Sequence, residues 1–396
     1  MRLRAGLMNG GALWAALVFS GAQAGAATLN PMLGGTITYT GTAGTLGSGY
    51  VIDNTAVATT TVTGVTIVQT EHNPALLIDN IADQSFNVNF SGAATSISGV
   101  ADALNVGSFN VGGSVSLDTT GTTTGNSFTS TNDFGVDVET DTMGATNATA
   151  TLGADTITST NGTGIRASSG SGNTTLTTAA TVTGGLNGIE AAASGTLLVT
   201  VSGTVTGSQA HTIDIGGFTE QVGSVFMRNH GTSTLTLQTG AKLVGDAIGF
   251  NDGSSYYQKA TYNLVLQGQG STANNFVNFN NVDVQNGQGG SWTLNGTSSF
   301  SGTLTVDAGG QLVQNADGGN TFANAVNNGK LVVNAATLEA TGTLTNNGTI
   351  FIGSGGEVSA GHIVQNLGSI NLGKNAVIDP AAIDILGGSF GGDGTV

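Results

Sequence analysis

Two short patterns recur along this chain at nearly constant spacing, and internal repetition of this kind restricts the fold more than any other feature of the sequence. Near the C-terminus, turn-forming pairs recur about every 20 residues, at Asn328-Gly329, Asn347-Gly348, Leu367-Gly368 and Gly387-Gly388. Apolar residues stand at fixed offsets after each pair, namely Leu331, Ile350, Ile370 and Phe390, followed by Val333, Ile352 and Leu372. Stacked parallel strands need this arrangement to form continuous aliphatic columns.

The second pattern lies in the middle of the chain. The segments GTGIRA, LNGIEA and AHTIDI place Ile165, Ile189 and Ile213 at intervals of 24 residues. The Thr-rich runs between them, 174–184 and 197–207, alternate polar and apolar residues as strands with one buried face do. We therefore predict an all-β, right-handed parallel β-helix with rungs of about 20 to 24 residues, roughly 17 rungs in all and roughly 80 Å long.

Composition agrees with a long, thin core. Gly supplies 65 of 396 residues and aromatic residues only 6%, while hydrophobic residues reach 38% and charged residues 8%. A disordered chain normally has low hydrophobicity and high charge density, and this one has neither. No long segment carries apolar residues at helical spacing. A β-sandwich or propeller is the main alternative, but the short period does not fit a four-stranded blade.

The pattern divides the chain into three parts. Residues 1–24 are predicted to be a signal peptide, residues 25–160 a less regular solenoid, and residues 161–396 a regular solenoid without a translocator barrel. Strands in the second part are indicated by alternation at Gly64–Val68, Ser85–Phe90 and Val111–Leu117.

The N-terminus has the order of features found in secretory signals. Arg2 and Arg4 give a positive start, residues 12–19 (ALWAALVF) an apolar stretch, and Ala22-Gln23-Ala24 a small-x-small cleavage pattern. The apolar stretch is too short for a transmembrane anchor, which needs about 20 residues. Removing residues 1–24 leaves six basic and 24 acidic residues, a net charge near −18. Nucleic acid and anionic lipid are therefore not expected as partners.

The chain has no cysteine, although exported proteins of this size often carry disulfides. Its stability must then come from the repeat ladder alone. Freedom from disulfides also suits a chain that crosses a second membrane unfolded.

The C-terminal residues resemble the passenger region of bacterial autotransporters and related Gly-rich β-helical surface adhesins. The resemblance covers the last third of the chain well and residues 162–215 moderately. It rests on the order of the following motifs: Tyr262-Asn263-Leu264-Val265-Leu266, Phe276-Val277-Asn278-Phe279, Trp292-Thr293-Leu294-Asn295-Gly296, Gly302-Thr303-Leu304-Thr305-Val306, Gly309-Gly310-Gln311-Leu312, Asn346-Asn347-Gly348-Thr349-Ile350 and Gly391-Gly392-Asp393-Gly394-Thr395-Val396.

The resemblance implies secretion through the outer membrane, a right-handed β-helix, and a role in adhesion, aggregation or biofilm formation. Such proteins usually end in a membrane β-barrel, whereas this sequence stops at Val396 within a passenger-like rung. We expect either a fragment of a larger, truncated autotransporter or a chain that another protein exports to the cell surface or the extracellular space.

Carbohydrate-active enzymes also use parallel β-helices, and they need carboxylates clustered with a basic residue. Basic residues are widely spaced here, and Arg228 with His230 and Glu220 is the nearest to a cluster in the sequence. The four histidines, His72, His211, His230 and His362, stand apart, without the spacing of a zinc pair. Ser residues are too numerous to indicate a serine nucleophile. We therefore expect no catalytic residue and no cofactor.

Calcium and sugar contacts are the remaining possibilities. Asp137, Glu139 and Asp141 alternate in DVETD and would lie on one strand face, where they could share a cation or simply be solvated. Acidic Gly-rich turns occur at Asp252-Gly253 and Asp393-Gly394. No complete calcium-loop motif is present, so no metal site is expected. Tyr256 and Tyr257 are candidates for exposed sugar contacts, whereas Trp292 is expected in the core or at a rung edge.

From the sequence, the expected function is that of an exported structural or adhesive surface protein. It would bind surface glycans, matrix or itself through many weak contacts. A β-helical carbohydrate-active enzyme and an inactive autotransporter remnant are the alternatives.

Overall fold

A computed structural model describes residues 15–18, 27–29, 36–46, 50–53, 59–69, 74–80, 85–108, 113–140, 146–208, 212–215, 218–251, 260–285, 289–315 and 319–396. These residues form strands and turns and include no helix, and so none that could span a membrane. In chain order the strands are β1 (Ala15–Val18), β2 (Ala27–Leu29), β3 (Thr36–Leu46), β4 (Tyr50–Asp53), β5 (Thr59–Gln69), β6 (Leu76–Asn80), β7 (Phe86–Gly92), β8 (Ser96–Gly99), β9 (Leu104–Ser108), β10 (Val115–Thr122), β11 (Ser127–Ser130), β12 (Val136–Thr140), β13 (Ala148–Leu152), β14 (Thr156–Ser159), β15 (Ile165–Ser169), β16 (Thr174–Thr178), β17 (Thr181–Gly184), β18 (Ile189–Ala193), β19 (Leu197–Val201), β20 (Thr204–Thr206) and β21 (Thr212–Ile215). They continue with β22 (Phe218–Gln221), β23 (Val225–Asn229), β24 (Thr232–Leu237), β25 (Lys242–Val244), β26 (Ala247–Gly249), β27 (Thr261–Gln267), β28 (Gln269–Thr272), β29 (Phe276–Val277), β30 (Asn281–Gln285), β31 (Ser291–Leu294), β32 (Ser298–Val306), β33 (Gln311–Gln314), β34 (Gly319–Asn327), β35 (Lys330–Val333), β36 (Thr337–Asn346), β37 (Thr349–Ile352), β38 (Glu357–Gln365), β39 (Ser369–Leu372), β40 (Val377–Pro380), β41 (Ile383–Ile385) and β42 (Ser389–Gly392).

Successive rungs stack as parallel strands on three faces, which confirms the predicted parallel β-solenoid. Face I contains β10, β13, β16, β19, β24, β27 and β30, and continues into the second halves of β32, β34, β36 and β38. Face II contains β8, β11, β14, β17, β20 and β25, followed by β28, β31, β33, β35, β37, β39 and β42. Face III contains β2, β4, β6, β9, β12, β15, β18, β23, β26 and β29.

The predicted C-terminal columns are present. Leu331, Ile350, Ile370 and Phe390 stand on one another in β35, β37, β39 and β42, and Val333, Ile352 and Leu372 form the parallel column. Trp292 and Leu312 extend the first column toward the N-terminus. Every member except Phe390 is nearly or fully buried, so the aliphatic columns form the core.

The turn glycines are required by the close approach of adjacent corners. At Gly348 and Gly368, an added Cβ would overlap the backbone carbonyl of the glycine in the preceding rung. Gly368 also has φ of 68°, a conformation that favours glycine. The glycines of the Asn347-Gly348 and Leu367-Gly368 pairs therefore occupy corner positions that no larger residue could fill.

One predicted repeat is wrong. Ile213 was expected to stand on Ile189, but it lies in β21, which pairs antiparallel with β22 as a hairpin outside the three faces. Val225 of β23 is the residue that stands on Ile189. At the corner before β23, the Gly223 N–H donates to Asn187 Oδ1 at 2.9 Å, and these residues are also 36 positions apart in the sequence. The hairpin is an insertion whose length happens to preserve the spacing of the isoleucines.

Rungs in the N-terminal half are longer than the sequence predicted. Asp137 stands on Asn105, 32 residues earlier, and Arg166 stands on Asp137, 29 residues earlier. Strands β9, β12, β14 and β15 keep four or five residues there, whereas β7 and β10 have seven and eight. The additional residues therefore lie partly in longer strands of face I and partly in the corners. Loop length at a corner is tolerated because it does not alter strand register.

Part of the predicted signal peptide is described. Ala15–Val18 forms β1 and pairs with β3, while residues 1–14 and 19–24 lie outside the described residues. The structure contains the whole sequence, so this pairing is that of the unprocessed chain, and the signal peptide stays a prediction.

Truncation of an inward residue of β37 should destabilise the chain much more than truncation of its outward neighbour. Ile350 is fully buried, and its neighbour Phe351 points outward with 41% exposure. We expect Ile350→Ala to lower the free energy of unfolding by about 2 to 5 kcal/mol, because it leaves a cavity in a continuous column. Phe351→Ala should change it by no more than about 0.5 kcal/mol. Urea denaturation followed by circular dichroism measures both, and equal losses would contradict the assigned register.

Candidate functional site

A cluster of charged side chains lies on the outer surface of face III, where three rungs meet. In-register pairing of β9, β12 and β15 places Asn105, Asp137 and Arg166 in one column across the three strands. Glu139 lies two residues further along β12. The inward neighbours Val136, Val138 and Thr140 belong to the buried side of β12. Strand alternation therefore turns the two carboxylates outward together, as the sequence predicted for Asp137 and Glu139.

The cation that these carboxylates share is the Arg166 guanidinium. Its Nε and Nη2 donate to Oδ1 and Oδ2 of Asp137 at 2.8 and 2.6 Å, and Nη2 also donates to Glu139 Oε2. The guanidinium carbon lies 4.2 Å from the centre of the Phe134 ring, within cation–π range. This two-pronged pairing gives both charge and geometric complementarity.

A second layer of hydrogen bonds holds the acidic side in place. Asn105 Nδ2 donates to Asp102 Oδ2 at 3.0 Å and to Asp137 Oδ2 at 3.1 Å. The backbone N–H of Phe134 donates to Asp102 Oδ1 at 3.1 Å. Asp137 is consequently fully buried, although its strand position faces outward.

Burial raises the pKa of Asp137 to about 7, because removal from water disfavours the ionised form. The hydrogen bond and charge of Arg166 work in the opposite direction, and the charges of Glu139 and Asp102 add to the rise. Burial also raises the pKa of Asp102 above its ordinary range. The cluster therefore takes up a proton near neutral pH.

The charged ladder continues along face III. Glu190 stands on Arg166, and Arg228 Nη2 lies 3.4 Å from Glu190 Oε1 at the surface. In the sequence, Arg228 with His230 and Glu220 is the nearest approach to a cluster. In the structure, the described ion pair of Arg228 is with Glu190, and the Glu220 side chain lies outside the described residues. Burial and, after it, the positive charge of Arg228 lower the pKa of His230.

Other residues singled out in the sequence fall elsewhere. Trp292 is fully buried and donates from its indole N–H to the Gln267 carbonyl at 3.2 Å, so it is a core residue as expected. His362 forms an exposed pair with Asp384 at 3.0 Å, and Asp393 lies in the C-terminal turn. The described residues contain no group of three His, Cys, Asp or Glu that could hold a metal. His72, Asp141, His211, Asp252, Gly253, Tyr256 and Tyr257 lie outside the described residues.

The outer surface of face I carries a shallow depression of about 370 Å³ over β24, β27, β30 and β32. Its polar lining includes Thr234, Asn263, Asn281 and Asp283, with Val265 on its floor. A smaller one, of about 300 Å³, lies beside Gln238 and Gln267. Neither contains a residue of the charged cluster.

Comparison with known proteins gives no relative: no family model matches the chain, and neither a curated protein nor a solved structure is significantly similar to it.

The pKa of Asp137 predicts a specific pH dependence of stability. Its folded pKa of about 7 lies above its ordinary value of 3.8, so the folded state binds this proton more tightly. The resulting stabilisation is complete below about pH 4 and is lost as the pH rises through 7. We expect Asp137→Asn to remove this component, which is on the order of 4 kcal/mol at most. Urea denaturation at several pH values between 4 and 8 measures it.

Arg166→Met is the matched variant. Because Arg166 holds the pKa of Asp137 down, its loss should destabilise the chain more at pH 8 than at pH 5. Parallel stability curves for the wild type and Asp137→Asn across this range would contradict the assignment.

Proposed function

We propose that this chain is an exported surface protein whose solenoid acts as a stiff adhesive rod in adhesion, aggregation or biofilm formation. The observation that carries the proposal is the repetition of short, mostly uncharged side chains along the outside of face I. One outward column, in register from β10 to β38, consists of Asp118, Thr151, Thr177, Thr200, Thr236, Val265, Asp283, Thr305, Val326, Thr345 and Val364.

Repetition favours binding by many equivalent contacts. A single Thr contributes little binding affinity, but a rigid series of them makes several contacts at once. The affinity of linked contacts together exceeds that of any one contact. The depression over β24, β27, β30 and β32 is part of the same polar surface and fits this mode. Glycans, matrix proteins and other copies of the chain are the proposed partners, and the acidic net charge disfavours nucleic acid.

Export is supported by the sequence of residues 1–24, and the lack of cysteine suits passage across a second membrane. The resemblance to autotransporter passengers favours the bacterial cell surface or the extracellular space as the destination. An outer-membrane translocator is among the proposed partners.

A carbohydrate-active enzyme is the second proposal, and one observation favours it. Asp137, Glu139 and Arg166 converge within hydrogen-bonding distance from adjacent rungs, and Asn105 links Asp137 to a third carboxylate, Asp102. Sugar-cleaving sites need carboxylates brought together in this way. The arrangement fits a structural role better, because Asp137 is fully buried and Arg166 bonds to both carboxylates and covers Phe134. A catalytic carboxylate needs access to its substrate.

Charged substitutions along the Thr column should weaken adhesion in a graded way. We expect each of Thr177→Glu, Thr200→Glu and Thr236→Glu to weaken retention roughly two- to tenfold, and the triple variant to abolish it, because the contacts act together. Aggregation of beads coated with the full chain, and their retention on bacterial cells and matrix, measure the effect. The matched triple Ser variant keeps the hydroxyls and should retain most binding.

Two results would overturn the adhesive proposal. One is a chain that binds neither cells, matrix nor itself but releases reducing ends from a polysaccharide, which would establish the enzyme. The other is complete loss of binding on one Glu substitution with no effect of the other two, which would indicate a single pocket.

A further inference from the structure

Face II carries a regular hydroxyl array in the N-terminal half of the solenoid. Strands β8, β11, β14, β17 and β20 each turn two hydroxyl-bearing side chains outward, with one inward residue between them. The first row is Ser96, Ser127, Thr156, Thr181 and Thr204, and the second row is Ser98, Thr129, Thr158, Thr183 and Thr206. We call these ten residues the hydroxyl array.

The array is a two-dimensional lattice. The five strands pair in register without a bulge, so each row runs straight across them. Adjacent strands lie about 4.8 Å apart, and alternate residues along one strand about 6.7 Å apart. The hydroxyls therefore repeat at two fixed distances over five rungs.

The lattice is also rigid. Directly behind it, one fully buried residue from each strand forms a column of the core: Ile97, Phe128, Ile157, Val182 and Val205. Seven of the ten outward residues are Thr, whose branched side chain has restricted χ1 freedom. Such a surface loses little conformational entropy when it binds, so weak contacts can add up to useful affinity.

The hydroxyls are available for outside partners. Among the described residues, only Ser98 of the ten uses its hydroxyl within the protein, donating to the Ile67 carbonyl at 3.5 Å. The rows contain no charge, amide or aromatic ring. The first row is preceded by Thr66 and followed by Lys242, and the second row lies between Val68 and Val244. Each Thr presents a methyl group beside its hydroxyl.

We propose that the hydroxyl array binds ice. Water molecules in ice occupy fixed points, and their repeat distances are similar to the two spacings of the array. A rigid surface of hydroxyl and methyl groups can hold water in this arrangement, because it carries no charged group that would bind water in a different one. Binding to a crystal face adds the small contribution of each hydroxyl across all ten positions.

Crystalline polysaccharide is the other periodic surface of similar scale. Sugar sites normally offer aromatic rings to stack on and amide or carboxylate groups for the sugar hydroxyls. The array has neither, and ordered water is therefore the better match.

The test measures thermal hysteresis of the full chain, the gap between melting and freezing of a seeded ice crystal, together with inhibition of ice recrystallisation. We expect a measurable gap and faceted crystals for the wild type. Thr158→Tyr should abolish the gap, because a ring that stands out from the centre of the array prevents flat contact. Thr183→Tyr, on the next strand, should do the same.

Thr293→Tyr is the matched control. Thr293 faces outward at partial exposure on β31, on face II but beyond the array, and the change is chemically identical. It should leave the gap intact, and circular dichroism verifies the fold of all three variants. Growth of ice as in plain buffer with the folded wild type overturns the proposal, as does equal loss in all three folded variants. Sedimentation with microcrystalline cellulose without any effect on ice would assign the array to polysaccharide instead.

Discussion

The in-register stacking of one rung on the next is the constraint on which the rest of this structure depends. Apart from the β21–β22 hairpin, the described strands obtain their backbone hydrogen bonds from the strands of neighbouring rungs. The corners follow the same rule, as between the N–H of Thr349 and the Gly329 carbonyl at 2.8 Å. In-register stacking places equivalent residues directly on one another, so every side chain must be compatible with its own neighbours above and below. Columns of Val, Ile and Leu satisfy this easily, because identical apolar groups pack well together.

Polar residues inside the solenoid satisfy the same constraint by forming chains of amides. Asn327 Nδ2 donates to Asn346 Oδ1 at 2.7 Å, and Asn346 Nδ2 donates to Gln365 Oε1 at 2.6 Å, with all three side chains buried. An amide has both donors and an acceptor, so each member can donate to one neighbour and accept from the other. A carboxylate cannot, since it only accepts. This explains why buried amides recur at one corner of successive rungs.

Charge is the property that stacking tolerates least, because like charges would repel at every rung. The ladder on face III shows the solution that the chain adopts: Asn105, Asp137, Arg166 and Glu190 follow one another, so opposite charges alternate. The positive charge between two acidic rungs stabilises both. The cost is that Asp137 must be ionised without water, which is the physical origin of its raised pKa.

Sequence reasoning succeeded where the repeat length is set by short corners. The columns through Ile350 and Ile352 could be predicted because rungs of about 20 residues leave no room for insertions. It failed at Ile213, because the β21–β22 hairpin adds residues outside the faces while keeping the apparent period. It also missed the partner of Asp137, since Arg166 lies 29 residues away, outside either period. Aligning Val136-Asp137-Val138 with Ile165-Arg166-Ala167 would have revealed the pair.

Packing in the core restricts the inward residues strictly but leaves the outward residues much freer. A uniform set of outward residues is therefore not required by the core. Face I is less uniform: its outward rows admit the exposed Leu198, as well as Asn263, Asp283 and His362 among the Thr residues. Five consecutive rungs of face II instead carry a hydroxyl at all ten outward positions, although the same parallel pairing would accept Val, Asn or Lys there. Strand preference accounts for Thr, which supplies seven of the ten residues, but not for Ser96, Ser98 and Ser127, since Ser is not a strong strand former. We infer that the uniformity of the array serves its outer surface, in line with the proposed binding of ice.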